Sequence, residues 1–177
     1  MRSIEIYIII ATVIQVGHSV YKEVYKEGIT GELSILSLGL GLTLEESIIG
    51  QIIMVSGMAV YLLGQVDSNT AIIQQIGIVG LIVIGAAEEL LIIYIGIEIV
   101  GLSFYILAGR ERKGQEGTEA GMKYFVLGAL SSGLMLMGIT IVYAQTGTTD
   151  LEMIEGTSRE LIIIGLLFKL GAAPFHM

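Results

Sequence analysis

Cysteine and tryptophan are both absent from the 177 residues, and only one proline occurs. Without cysteine there are no thiolate metal sites, no covalent haem attachment and no disulfide framework. Neither a GxGxxG run nor a P-loop pattern is present, so no nucleotide site is argued from a motif. Charge is scarce as well: 15% of residues are charged, against about a quarter in soluble domains. The charge that exists leans acidic, with 9 Lys and Arg against 17 Asp and Glu and a formal net charge of −8. Nucleic-acid recognition needs basic surface, so nucleic acid is excluded as a partner.

What the chain has in quantity is hydrocarbon. Hydrophobic residues make up 54% of it, and its mean hydropathy is +0.83. A soluble core of this size cannot hide that surplus, which predicts an all-α integral membrane protein. A spanning helix needs about 20 mainly apolar residues. Stretches at about 3–19, 47–64, 71–87, 90–108, 122–143 and 160–177 qualify, giving about six transmembrane helices. The first, within "MRSIEIYIIIATVIQVG", lacks a small-residue cleavage motif and reads as a retained helix that ends at the interfacial His18. "LSILSLGLGLTL" (33–44) is apolar but short, which predicts an interfacial segment or a degraded span. "GQVDSNT" (64–70) and "EE" (88–89) read as tight turns, Glu88 and Glu89 being solvated helix ends. "GRERKGQEGTEAG" (109–121) and "QTGTTDLEMIEGTSRE" (145–160) read as polar loops. No tandem repeat or soluble domain is visible.

Basic residues in loops mark the cytoplasmic or matrix side. Arg110, Arg112 and Lys113 place 109–121 there, with Arg159, Lys22 and Lys26 on the other side.

Ionisable groups inside spans carry the most information, because each costs about 2.5–3.5 kcal/mol or more at the bilayer centre. Three stand out: Glu98 in "LLIIYIGIEIVGL", Lys123 in "GMKYFVLGAL" and Lys169 in "GLLFKLGAAPFH". At 1.5 Å per residue, Glu98 lies about 12 Å into its helix and Lys169 about 14 Å into its own. One helix separates the two, so both run in the same direction and the charges meet at matching depth. An ion pair is the arrangement of lowest cost. Desolvation and a neighbouring carboxylate act on a lysine's proton in opposite senses, and at an effective dielectric near 20 a charge about 5 Å away is worth roughly 3 kcal/mol. The pair can therefore be switched between holding and releasing a proton. The plainer alternative is a static pair that fixes helix packing. Lys123, one turn from a loop, can snorkel to the interface. His176 can titrate near neutral pH or serve as a structural helix end.

Pro174 removes a backbone donor. With Gly171, Ala172 and Ala173 it predicts a helix broken shortly after Lys169, a construction that transporters use to build ion sites at midplane. An ordinary proline kink is the alternative. Small residues at Gly128, Ala129, Ser132 and Gly133 ("LGALSSG") would let another helix approach closely.

Two motifs, "TEAGMKYFVLGALSSG" and "FKLGAAPFHM", lie within a stretch from about 71 to 177 that resembles subunit 2 of the proton-pumping NADH:quinone oxidoreductase, respiratory complex I, its mitochondrial form most of all. The resemblance divides the chain into divergent N-terminal membrane helices (1–70) and part of an antiporter-like proton-channel module (71–177). It implies a fold with two inverted five-helix repeats, each holding a broken helix. It also implies roles: Glu98 as the glutamate of the fifth helix, Lys169 as the lysine at the break of the seventh, and Lys123 as a lysine assisting the route. A mitochondrial inner-membrane, multi-pass subunit follows, which does no redox chemistry itself. NADH, FMN, iron–sulfur clusters and quinone would reside in other subunits, with no cofactor or metal bound by this chain.

In relatives "PFHM" runs on into a tryptophan and further helices. The expectation is a split gene, with a second polypeptide carrying those helices. The alternatives are a sequence cut at a reassigned tryptophan codon and a naturally degenerate subunit. Two further functions stay open: a structural remnant that links neighbouring membrane subunits, and a stand-alone cation/proton antiporter.

Overall fold

The computed structural model describes residues 6–7, 9–14, 30–44, 47–63, 67–110, 115–154 and 159–172. Apart from one isolated β-bridge, those in secondary structure are helical: α1 (residues 6–7 and 9–14), α2 (Thr30–Leu44), α3 (Ile48–Leu63), α4 (Ser68–Gly85), α5 (Leu90–Ala108), α6 (Gln115–Thr146) and α7 (Glu160–Lys169). The chain divides into two compact units, Met1–Gly85 and Ala86–Met177.

In the first unit α2, α3 and α4 pack on one another around Leu38, Met54, Tyr61, Ala71, Ile78 and Ile82. Gly57 marks the close approach: a Cβ there would stand 2.8 Å from the Ile78 side chain and 3.2 Å from Leu38. A polar seam crosses the same interface. The Tyr61 hydroxyl lies 2.9 Å from the Ala71 carbonyl and 3.3 Å from Gln75 Oε1, and the Gln75 amide donates to Ser37 at 3.3 Å. Polar side chains away from water must pair in this way, so the fully buried Gln75 ties three helices together.

The segment at 33–44, apolar but short in the sequence, lies within α2, a 15-residue helix whose Leu38 is fully buried against its neighbours. Ser34 is 1% exposed, and Ser37 belongs to the seam.

In the second unit α5 and α6 are antiparallel, as are α6 and α7. Gly121 meets Gly109 at one level, Tyr124 meets Tyr105 at the next, and Ser132 meets Glu98 further along. From the other side, Gly138 meets Ile162 and Gly165 meets Ser131 and Met135. A Cβ on Gly138 would stand 2.8 Å from the Ile162 backbone nitrogen, and one on Gly165 3.0 Å from the Ser131 carbonyl oxygen. These glycines let the backbones touch, and the Ser131 hydroxyl donates to the Gly165 carbonyl at 2.9 Å across the contact. The core is Met135, Ile139, Val142, Ile154 and Ile162, with Leu90, Tyr94, Ile97 and Leu166 packed against it.

The predicted loop at 109–121 is shorter than expected, because α6 begins at Gln115. Glu119 and Lys123, four residues apart, pair across one turn and support that extension. The stretch after α6 is ordered by its own polar groups. Gly147 takes φ 73°, and Asp150 accepts the Glu152 amide at 3.0 Å. An antiparallel bridge then joins Glu89 to Asp150, with Leu90 N–H to the Thr149 carbonyl at 2.9 Å and Leu151 N–H to the Glu88 carbonyl at 3.1 Å. The Glu88–Glu89 turn is thereby pinned to the end of α6.

Leu90–Ala108 and Gly117–Thr146 are long and apolar enough to cross a membrane by length and composition, and Ile48–Leu63 and Asn69–Gly85 are apolar but shorter. Their outer faces are hydrocarbon: Ile48, Ile52 and Leu62 on α3, and Val126, Leu130 and Met137 on α6, are all exposed. Contiguous exposed apolar surface of this kind belongs against lipid or another apolar surface.

Candidate functional site

α7 is ten residues long, about 15 Å, or half of a hydrocarbon layer of about 30 Å. Its C-terminal residue is Lys169, and the termination is built by glycine. Gly171 takes φ 63°, its N–H reaches the Phe168 carbonyl at 3.2 Å, and the Ala172 N–H reaches the Leu167 carbonyl at 3.0 Å. This is the paired Schellman closure, with glycine in the left-handed position that other residues occupy at a cost. α7 thus ends where the break was expected, after Lys169, and Gly171 fixes that end. Pro174 and His176 lie outside the described residues. An ammonium on the last turn also faces the negative end of the helix dipole.

Lys169 Nζ lies 3.0 Å from Glu98 Oε1. The lysine side chain is 17% exposed and the glutamate 27%. The Ser132 hydroxyl on α6 is within hydrogen-bonding reach of both Glu98 Oε1 and the Gly128 carbonyl, the latter at 2.9 Å. On its other side Lys169 donates to Tyr105 Oη at 3.0 Å. The Tyr105 ring centroid is 5.6 Å away, a separation that puts the ammonium out beyond the hydroxyl rather than over the ring face. Its contact with Tyr105 is therefore a hydrogen bond to oxygen, with little of the face attraction that defines a cation–π pair.

Three helices thus deliver four groups to one place: a carboxylate and a phenol from α5, a hydroxyl from α6 and an ammonium from the end of α7. Of the residues singled out in the sequence, Glu98 and Lys169 meet. Lys123 does not join them; it pairs with Glu119 at 2.5 Å on an exposed stretch of α6, both side chains more than 60% exposed. The small residues of "LGALSSG" divide. Gly128 and Ser132 face the site, whereas Ala129 and Gly133 are exposed and nothing stands within 4 Å of a Cβ placed on Gly133. Chemically, an ammonium against a carboxylate and a phenol hydroxyl can exchange a proton with its surroundings, with Glu98 setting how firmly it is held.

Residues 87–177 match the family described as NADH:quinone oxidoreductase/Mrp antiporter, transmembrane. The chain belongs to this family. Its relatives include NADH-quinone oxidoreductase subunit N of Trichlorobacter lovleyi, 42% identical over 113 residues covering 56% of this chain and 23% of that protein. NADH-quinone oxidoreductase subunit N 1 of Acidiphilium cryptum is 44% identical over 113 residues, covering 56% and 24%. Subunit N of Herminiimonas arsenicoxydans is 39% identical over 127 residues, covering 64% and 26%. All three are bacterial, and this chain spans about a quarter of their length. A chain of respiratory complex I from Thermus thermophilus, solved with bound aureothin, shares the fold with a TM-score of 0.81 at 20% identity, covering 98% of this chain and 45% of that one. The NADH:quinone oxidoreductase/Mrp antiporter match contains every member of the site: Glu98, Tyr105, Ser132 and Lys169.

Tyr105 and Ser132 escaped the sequence reading. Tyr105 had a usable signal, since it follows Glu98 by seven residues and so shares its helix face. Ser132 was read as a small packing residue, and nothing in its neighbours separates the two roles.

Proposed function

We propose that this chain forms part of a proton-translocation path in the membrane arm of respiratory complex I, in the position of subunit 2, with Glu98 and Lys169 as its switching pair. The observation that carries the proposal is the 3.0 Å contact between these two groups at the C-terminal end of α7, among apolar helices. Ionisable groups so placed mark ion pathways by default. In the proposed cycle Glu98 holds the ammonium of Lys169, and movement of the carboxylate, or its neutralisation, frees Lys169 to pass a proton on. The subunit does no redox chemistry; NADH, FMN, iron–sulfur clusters and quinone belong to other subunits, which are its proposed partners along with the lipid bilayer. Lys123, at the start of the same module (71–177), is proposed to deliver protons from the surface, and its exposure suits that task. His176 and Pro174 are proposed as further members of the broken helix.

The proposed location is the mitochondrial inner membrane. Support for it is the motif resemblance at "TEAGMKYFVLGALSSG" and "FKLGAAPFHM". The proposed second polypeptide, carrying the remaining helices of the fold, is tested by the intact mass of the native protein. A mass near 19.0 kDa supports it, and a much larger mass removes the need for it.

Lys169→Ala decides the function. In membrane vesicles energised with NADH, proton pumping is expected to fall at least tenfold with the complex still assembled on a native gel. Unchanged pumping with intact assembly would overturn the proposal. The family description also covers Mrp antiporters, which favours a second reading as a cation/proton antiporter. Co-migration of the chain with NADH dehydrogenase activity argues against that reading.

A further inference from the structure

Lys169 has two oxygen contacts of equal length, and only one of them is charged. Nζ stands 3.0 Å from Glu98 Oε1 and 3.0 Å from Tyr105 Oη. An ammonium has three N–H donors and no acceptor, so it donates to both. Tyr105 stands two turns beyond Glu98 on α5, yet helical side chains lean toward the N-terminus, and its hydroxyl comes back to the level of Gly101. Two glycines make the room. A Cβ on Gly101 would stand 3.1 Å from the hydroxyl and 3.3 Å from Lys169 Nζ, and one on Gly128 would overlap the hydroxyl. The ring is held in place by the edges of Tyr124, at 4.7 Å and 89°, and Phe125, at 5.8 Å and 86°. A residue needed only to fill space would require the ring pocket alone, and phenylalanine would fill it. Here the backbone of two helices is cleared around the oxygen atom.

We infer that Tyr105 is a positioning residue for Lys169, a neutral second seat that keeps the ammonium at the helix break when Glu98 no longer holds it. The inference rests on reading Glu98 and Lys169 as a proton-switching pair. Once the carboxylate is neutralised or drawn away, an ammonium with no acceptor at this depth is driven toward the membrane surface. A fixed phenol oxygen retains one charge-assisted hydrogen bond and keeps Lys169 within reach of Glu98 for the next cycle. The phenol accepts through its oxygen and keeps its own hydrogen, so no proton passes through it.

Tyr105→Phe removes the oxygen and keeps the ring. In NADH-energised vesicles holding the assembled complex it is expected to slow proton pumping about tenfold, the scale of one hydrogen bond to a charged group. A spectroscopic readout separates positioning from mere packing. With isotope-labelled tyrosine, the infrared difference spectrum of wild type minus Lys169→Gln is expected to show a displaced phenolic C–O band, because the phenol has lost its cationic donor. That arm does not require Tyr105→Phe to assemble. Full-rate pumping by assembled Tyr105→Phe, or no tyrosine band in the difference spectrum, overturns the inference and leaves the Glu98–Lys169 reading intact. Full-rate pumping by assembled Lys169→Gln overturns that reading itself, and the inference with it.

Discussion

A carboxylate and an ammonium in contact inside an apolar bundle cannot be removed one at a time without leaving an uncompensated charge. Breaking a fully buried pair by deleting one partner costs about 3–5 kcal/mol, whereas replacing both with apolar groups is often neutral. Glu98→Gln alone is therefore expected to lower the thermal stability of the assembled protein, by somewhat less than that because the pair is partly exposed. The double variant Glu98→Gln/Lys169→Met should recover most of the stability and none of the pumping, as a melting curve and a pumping assay on the same preparation would show. Ser132→Ala, which deletes a hydroxyl beside Glu98, should cost about 1 kcal/mol. At this scale the sequence displayed the pair openly, because a charge within an unbroken apolar run has few reasons to be there. It concealed Tyr105 and Ser132, whose side chains are ordinary in membrane helices and acquire meaning only from what α6 and α7 bring opposite them. Lys123 shows the converse: its motif pointed to the site, while its place on α6 gives it Glu119 as an immediate partner.

Among the elements, the end of α7 and the seam between α6 and α7 depend on glycine. Gly171→Ala forces a Cβ into a left-handed conformation, which costs about 1–2 kcal/mol. It is expected to blur the helix end and to lower pumping together with thermal stability. Gly138 and Gly133 form a matched pair on one helix. Gly138→Ala drives a methyl group against the Ile162 backbone, and overpacking of this kind costs about 1–3 kcal/mol. Gly133→Ala meets open space and should be neutral, or stabilising by up to about 1 kcal/mol through helix propensity. Thermal melts of the two variants in detergent check the contrast. The sequence showed the small-residue stripe and the helix end, although only part of the stripe faces the interface. Gly171, named with Pro174 in the sequence, ends α7 in its left-handed conformation. "LGALSSG" has the density of a packing motif, but the 3.6-residue turn carries Ala129 and Gly133 out of the interface. The limits of α5 were legible because its apolar run is bounded by charge on both sides; the start of α6 was not, because its first two turns are polar and glycine-bearing.

For the whole molecule, hydrocarbon on the outside is the governing fact. Ile48, Ile52, Val126 and Met137 would each expose apolar area to water in a soluble protein, and burial is worth about 25 cal/mol per Å² of such area. The chain is accordingly expected to stay in the membrane pellet after alkaline carbonate washing, and its recovery in the supernatant would contradict the fold class. The family match begins at residue 87, almost where the second compact unit begins, and that unit has its own core.

The Glu98–Lys169 pair is electrically silent while closed, since opposite unit charges at nearly one depth present no net charge to the membrane voltage. In the proposed cycle, loss of the lysine proton would leave a single negative charge in its place. A unit charge crossing the full thickness feels about 2.3 kcal/mol per 100 mV, and one at mid-depth about half of that. In that cycle, losing the proton would couple the pair to the field that pumping builds, and regaining it would remove that coupling. On that reading Lys169, at the end of a short helix, would act as a voltage-sensing element during a single phase of the cycle.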